Sequence, residues 1–271
     1  MISYIPGATQ DGVALDIAQS FVGFQGGIDG HAYTYGFGSH DIKEPRLNPT
    51  SYDVPYTGTF DQFDRLLRIA EADVSARKPG KLVVDGWSRS AYIVGAKHTR
   101  HAKGRISTKL KVACVDGAWW KVSGVSLIPS GQGGTGDLDY PHDYGHDYGR
   151  GRSDEGVNTK CLVPCKPRII FHGPVADPYV VIAGNRYQVM GDVASDAEIV
   201  IDGRDKTVRL IAANGDVTDK FASAVRGTGE DGGEYVFQPI PVGKNTATWD
   251  GTFTVEVQWY EEVGEVPWSR Y

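Results

Sequence analysis

Apolar and polar positions alternate along much of this chain. In "RISTKLKVAC", Ile106, Thr108, Leu110, Val112 and Cys114 share one face of an extended strand, and Lys109 and Lys111 share the other. Short β-like runs surround it: "KLVVDG", "SAYIVGAK" and "AWWKVSGVSLIP", each bounded by Gly, Asp or Pro. One stretch breaks the period of two. From Thr59 to Gly80, Phe60, Phe63, Leu66, Leu67, Ala70 and Val74 recur at helical spacing. Thr59 and Gln62 predict a capping box, Asp61 suits the positive first turn, and Lys78, Pro79 and Gly80 predict the stop. The apolar stripe of that helix must cover a sheet or a neighbouring subunit.

Between Ser130 and Thr159 the apolar period vanishes into "SGQGGTGDLDYPHDYGHDYGRGRSDEGVNT", too poor in apolar side chains for a core element. Strands then resume in "CLVPCKPRIIFHG", "PYVVIAGNRYQVMG", "AEIVIDGRDKTVRLIAANG", "EYVFQPIPVG" and "GTFTVEVQWYEEV". Asp202-Gly203 and Asn214-Gly215 are the hairpin-turn dipeptides. The expected fold class is mainly β, in two domains. Residues 1–129 form a β-sandwich or barrel-like domain with one α-helix, 130–159 form a junction, and 160–271 form an all-β sandwich. A length of 271 residues suits two domains, and 35 glycines with 14 tyrosines favour strands and tight turns over helices.

With 28 basic against 34 acidic residues, the net charge of −6 disfavours wholesale binding to nucleic acid or anionic membrane. The sequence lacks an apolar run of membrane-spanning length, and "MISYIPGATQDGV" has no signal-peptide pattern, so synthesis and folding are expected in a cytoplasm. Cys114, Cys161 and Cys165 are too few for a disulfide framework and are expected to be reduced, packed thiols.

Candidate chemistry is sparse. Gly131, Gly133 and Gly136 match the spacing of a dinucleotide loop but do not open a helical pattern. "GWSRS" lacks the last glycine of a nucleophile elbow and reads as a hairpin turn. Lys97, Arg100, Lys103, Arg105, Lys109 and Lys111 form a basic hairpin without an acidic residue in its span. It is read as a solvated hairpin, a contact for an acidic protein partner or subunit, or a polyanion contact. "DYPHDYGHDYG" holds Asp139, His142, Asp143, His146 and Asp147, five metal-ligand types in nine residues. Their order is not that of a calcium loop, and Pro141 argues against a helix that would align the histidines. The alternative is a connector in which Tyr140, Tyr144 and Tyr148 bury their rings. No metal, cofactor or catalytic residue is assigned.

The segment "LDYPHDYGHDYG" resembles the aspartate and tyrosine junction of the distal tail (Dit) proteins of siphophages. "PRIIFHGPVADPYVVI", "IVIDGRDKTVRLI" and "YVFQPIPVGKNTATW" downstream, with "FDRLLRIAEADVSARKPGKLVVDGWSRSAYIVG" and "AWWKVSGVSLIP" upstream, are similar to that family in order and spacing. The resemblance implies a structural virion protein and not an enzyme. Such proteins form a homohexameric ring at the distal end of the tail, between the tail tube and tip or receptor-binding proteins. The ring-forming N-terminal domains enclose a channel for the tape measure protein and then the DNA, and galectin-like C-terminal sandwiches project outward. Partners would include tail tube, tape measure and tip proteins, with no membrane and no sequence-specific nucleic acid. The other expectation is a carbohydrate-binding module that grips a host surface glycan through Trp249, Trp259 or Trp268; against it, the same tryptophans read as core or interface packing, since Trp259 alternates with Val257 and Val255 as a buried strand residue does.

Overall fold

The computed structural model describes residues 2–8, 15–16, 33–129, 155–227 and 233–266. They form a mainly β protein with one α-helix, and the chain divides into two compact units. The first is Met1–Lys121 with Glu262–Tyr271, and the second is Val122–Glu261. The chain leaves the first unit inside strand Trp119–Leu127 and returns inside strand Val255–Val263. The C-terminal half expected at 160–271 therefore follows a different path. Residues 155–159, expected in the junction, form a strand. The crossings escape a sequence reading because each falls within one unbroken strand.

In the first unit the strands are β1 (Ile2–Ile5), β2 (Leu15–Asp16), β3 (Tyr33–Phe37), β4 (Ile42–Leu47), β5 (Ser51–Thr59), β6 (Gly80–Val84), β7 (Trp87–Ala102), β8 (Arg105–Cys114) and the start of β9 (Trp119–Leu127). Helix α1 (Phe60–Ala76) follows β5 directly. Antiparallel pairing links β2, β1, β6, β7, β8 and β5 in that order. The period-two reading of β8 is exact, because Ile106, Thr108, Leu110, Val112 and Cys114 are all buried. The capping box is present: Thr59 Oγ accepts from the Gln62 amide, and Gln62 Oε1 accepts from the Thr59 amide. Arg77 ends the helix in the left-handed region at φ 53°, just before the Lys78-Pro79-Gly80 stop. Phe63, Leu66 and Ala70 pack into a core with Tyr52, Val54, Tyr56, Leu110 and Val112.

Two polar groups inside this unit hold its irregular parts. The buried Asp73 carboxylate of α1 accepts from the Tyr4 hydroxyl at 2.7 Å and from the amides of Gly7 and Ala8 at 3.0 and 2.7 Å. It thereby ties β1 to the helix, and burial, reinforced by Asp73, pushes the Tyr4 phenol far above its ordinary range. The buried Arg89 guanidinium of β7 donates to Asp116 O at 2.8 Å, Tyr52 Oη at 2.5 Å, Asn48 O at 3.1 Å and Gly117 O at 2.8 Å. Its carbon lies 5.7 Å from the ring centroids of both Tyr52 and Trp119. Of "GWSRS", Gly86 completes the two-residue turn Asp85-Gly86, both residues at positive φ, and Trp87 to Ser90 open β7, so the expected hairpin is present but its turn takes only the first residue of that stretch.

The second unit contains β10 (Glu155–Thr159), β11 (Lys166–His172), β12 (Val175–Ala176), β13 (Tyr179–Ile182), β14 (Asn185–Gln188), β15 (Asp192–Val193), β16 (Glu198–Asp202), β17 (Thr207–Ile211), β18 (Val217–Asp219), β19 (Gly243–Thr248) and most of β20 (Val255–Val263). One sheet runs β18-β17-β16-β11-β20-β9 and a second runs β10-β19-β13-β14. Ile169, Phe171, Ile199, Ile201, Val255 and Val257 of the first share a core with Val157, Val180, Ile182 and Ala247 of the second. This is the expected sandwich. The turn expected at Asp202-Gly203 is longer: Asp202 Oδ1 accepts from the Arg204 and Asp205 amides, and Lys206 takes the positive φ of 52°.

The expectation of three reduced thiols is wrong. Cys161 and Cys165 are joined as a disulfide with Cα atoms 6.7 Å apart, because the chain doubles back as it passes from β10 in one sheet to β11 in the other. Only Cys114 is free among the described residues, and burial pushes its thiol up to about 11. A thiol reagent at pH 8 is therefore expected to label no cysteine in the folded protein, one after unfolding without reductant, and three after reduction, as counted by intact mass. Arg89→Met takes from the carbonyls of Asn48, Asp116 and Gly117 the donor that a buried guanidinium supplies. It is expected to lower the unfolding free energy by about 3 kcal/mol or more, read from urea denaturation.

Candidate assembly surfaces

The basic hairpin exists as expected, built by β7 and β8 around the two-residue turn Lys103-Gly104, where φ is 49° and 74°. Register decides what its charges face. Lys97 stands directly opposite Lys109, Lys111 opposite Gly95, Arg100 opposite Ser107, and Arg105 opposite Ala102. Because Ile106, Thr108, Leu110 and Val112 point to the core, Lys109 and Lys111 lie on the outer face. His98 is not part of that face, since its ring packs edge-on against Phe63 of α1 with centroids 5.3 Å apart. The absence of acid in the hairpin's own sequence is offset by β5, which sets Asp53 opposite Lys111. Neither side of Lys109 receives such help, since Pro55 stands opposite it on β5 and Lys97 on β7.

Directly opposed like charges on neighbouring strands destabilise a sheet, by roughly 0.2–1 kcal/mol in exposed positions. A protein that retains such a pair presents a surface suited to an anionic neighbour.

The other expected sites fare differently. Trp249 and Trp259 are both buried in the second unit's core, and Trp249 Nε1 donates to Phe253 O at 3.0 Å. Neither ring offers a face to a sugar, which removes the two placed members of the glycan platform; Trp268 lies outside the described residues. Gly131, Gly133 and Gly136, and the candidate ligands Asp139, His142, Asp143, His146 and Asp147, also lie outside them. Among the described residues, no group of three or more His, Cys, Asp or Glu side chains is placed to hold a metal ion.

A surface that the sequence reading missed lies in the first fifty residues. Strands β3 and β4 form a two-stranded sheet of their own, Tyr33↔Leu47, Thr34↔Arg46, Gly36↔Lys43 and Phe37↔Ile42, with an irregularity at Glu44, whose φ is 46°. Tyr33, Tyr35 and Phe37 share a face with Ile42 and Leu47, and Thr34, Lys43 and Arg46 share the other. The signal was present in the alternation of "YTYGF". The outward-facing Lys97 and Lys109 give the first test of these surfaces. Lys97→Glu is expected to stabilise the protein by a few tenths to about 1 kcal/mol in low-salt urea denaturation, the gain shrinking as salt is added.

Comparison with known proteins adds the following. No family model and no curated protein sequence matches the chain. Among solved structures, a chain of the phage P2 baseplate in its activated conformation with Ca aligns at TM-score 0.53 and 11% identity, covering 98% of this chain and 100% of that one. The corresponding structure with Sr gives 0.52 and 11% over 98% and 100%. The Dit protein (gp 19.1) of phage SPP1, described as a paradigm of the hub of the adsorption apparatus in phages infecting Gram-positive hosts, aligns at 0.46 and 11% over 97% and 99%. The strand and helix order laid out above is thus, over its whole length, the fold of a phage baseplate chain.

Proposed function

We propose that this protein is a structural component of a phage tail, a distal tail adaptor that closes into a homohexameric ring between the tail tube and the tip or receptor-binding proteins. The observation that carries the reading is the fold shared end to end with the P2 baseplate chains, with nearly all of both chains aligned. A single shared sandwich would have been weak support, because sandwiches serve many functions. The resemblance of the junction "LDYPHDYGHDYG" and of the segments flanking it to the distal tail family supports the same reading independently.

In this reading the protein works by binding and geometry and has no catalytic step. The first unit forms the ring around the channel for the tape measure protein and DNA, and the sandwich carries outer components. The Lys97–Lys109–Lys111 face, burdened by its own like charges, is a contact for an acidic neighbour in the assembly. Its place is the distal end of the tail in the virion.

The test is made on the purified full chain, alone and with the tail tube protein of the same virion. Six-fold rings in negative stain, with a mass six times the 29.4 kDa chain by light scattering, are the expected result. A chain that stays monomeric at high concentration and ignores the tube protein would sink the reading.

A further inference from the structure

The Cys161–Cys165 bond of the second unit joins residues only four apart in sequence. Extended, those four peptide steps would cover about 13 Å, whereas the two Cα atoms stand 6.7 Å apart. The residues between them must therefore arch away from the bond. They arch into water: Leu162 is 98% and Val163 61% accessible, and Pro164 is exposed. Burying a leucine is favourable, so the closed arch holds its tip against the preference of its own side chains.

The surrounding fold has fastenings of its own. On one side, β10 pairs with β19 through Thr159, and the buried Thr159 hydroxyl donates to Pro241 O at 2.8 Å. On the other, Cys165 and Ile240 exchange both of their backbone hydrogen bonds, at 2.9 and 2.8 Å. Both flanks of the arch are fastened to residues 240–243, whether or not the sulfurs are joined. A cross-link over so few residues also removes little entropy from the unfolded chain, since that gain grows with the length of the loop closed. The two cysteines differ in reach: Cys165 is only 3% accessible, and Cys161 is partly buried.

We propose that the Cys161–Cys165 bond is a redox-operated clasp: closed, it keeps Leu162 and Val163 out in water as an apolar tip, and opened by a small thiol it releases them while the sandwich stays folded. The exchange starts at Cys161, the cysteine with more access. A thiolate forms a mixed disulfide there and displaces the Cys165 sulfur, which takes up a proton. A second thiolate attacks the reagent's sulfur in that mixed disulfide, departs with it as a new disulfide, and frees Cys161 to take up a proton in turn. Two small thiols are oxidised to one disulfide, and the protein gains two electrons and two protons. Oxidising surroundings present the tip, and reducing ones withdraw it.

The experiment equilibrates the full chain in buffers of reduced and oxidised glutathione, quenches with acid, and alkylates after unfolding. Intact mass then counts one label per closed chain, on Cys114, and three per open chain. Reduced glutathione is expected to open the bond with no change in tryptophan emission, to which Trp249 and Trp259 contribute from the core of the second unit. Chymotrypsin should cut after Leu162 about tenfold or more faster in the open form, because a protease needs an extended segment that the closed arch cannot supply. Cys161→Ser, open in every buffer, should be cut at the fast rate throughout and melt within a few degrees of the unaltered chain. A bond that survives reduced glutathione would overturn the clasp, as would equal cleavage of the two forms. An opening that shifts the tryptophan emission, or a Cys161→Ser chain that does not fold, would make the bond a staple of the sandwich and overturn it too.

Discussion

A buried cation that makes no salt bridge to a carboxylate among the described residues organises the first unit. Arg89 spends its hydrogen bonds on three backbone carbonyls and a phenol, and its guanidinium lies beside the rings of Tyr52 and Trp119. Leaving water is costly for such a group unless every nearby acceptor points at it. The acceptors come from segments far apart in sequence: Asn48 at the end of the hairpin, Tyr52 in β5, and Asp116 and Gly117 just before β9. If the guanidinium is satisfied, those segments must converge. The exposed hairpin, the helix-bearing strand and the strand that leads into the second unit are therefore set by one side chain.

Asp73 does the complementary work at the start of the chain. Its carboxylate takes three donors from Tyr4, Gly7 and Ala8, so that the first strand is held to the helix as well as to β6. Close approach reinforces the arrangement, since a Cβ at Gly80 would collide with the Tyr4 ring. With both ends of the unit pinned, the parts left over are outward surfaces: a basic sheet face, an incompletely covered helix and an aromatic hairpin. For a protein whose work is assembly, such surfaces are the functional site, and their value lies in being held rigid before a partner arrives.

Much of this was legible in the residues. The alternation in 105–114 identified the buried row of β8, and Thr59 with Gln62 marked the helix start to the residue. Dipeptides were less dependable: Asp85-Gly86 makes the tight turn its residues favour, whereas Asp202-Gly203 opens a longer loop in which Lys206 takes the left-handed conformation. Trp249 and Trp259, considered as sugar platforms, are core residues. The alternation of Trp259 with Val255 and Val257 already pointed to burial, and packing shows that neither ring has a free face.

Period and capping determined the mainly β class, the single helix and the outward row of lysines, because these depend on neighbours within a few positions along the chain. Tertiary structure alone decided the rest. Lys97 meets Lys109 and Asp53 meets Lys111 only through strand register, and Cys161 meets Cys165 only because the chain folds back between two sheets. Arg89 and Asp73, unremarkable in the sequence, become central because groups distant along the chain converge on them. The helix stripe likewise reads as one apolar face until the sheet beneath covers part of it and leaves Phe60 and Val74 outside. Local pattern specifies which atoms seek burial; which of them find it depends on contacts between residues far apart in the chain, and no local pattern encodes those contacts.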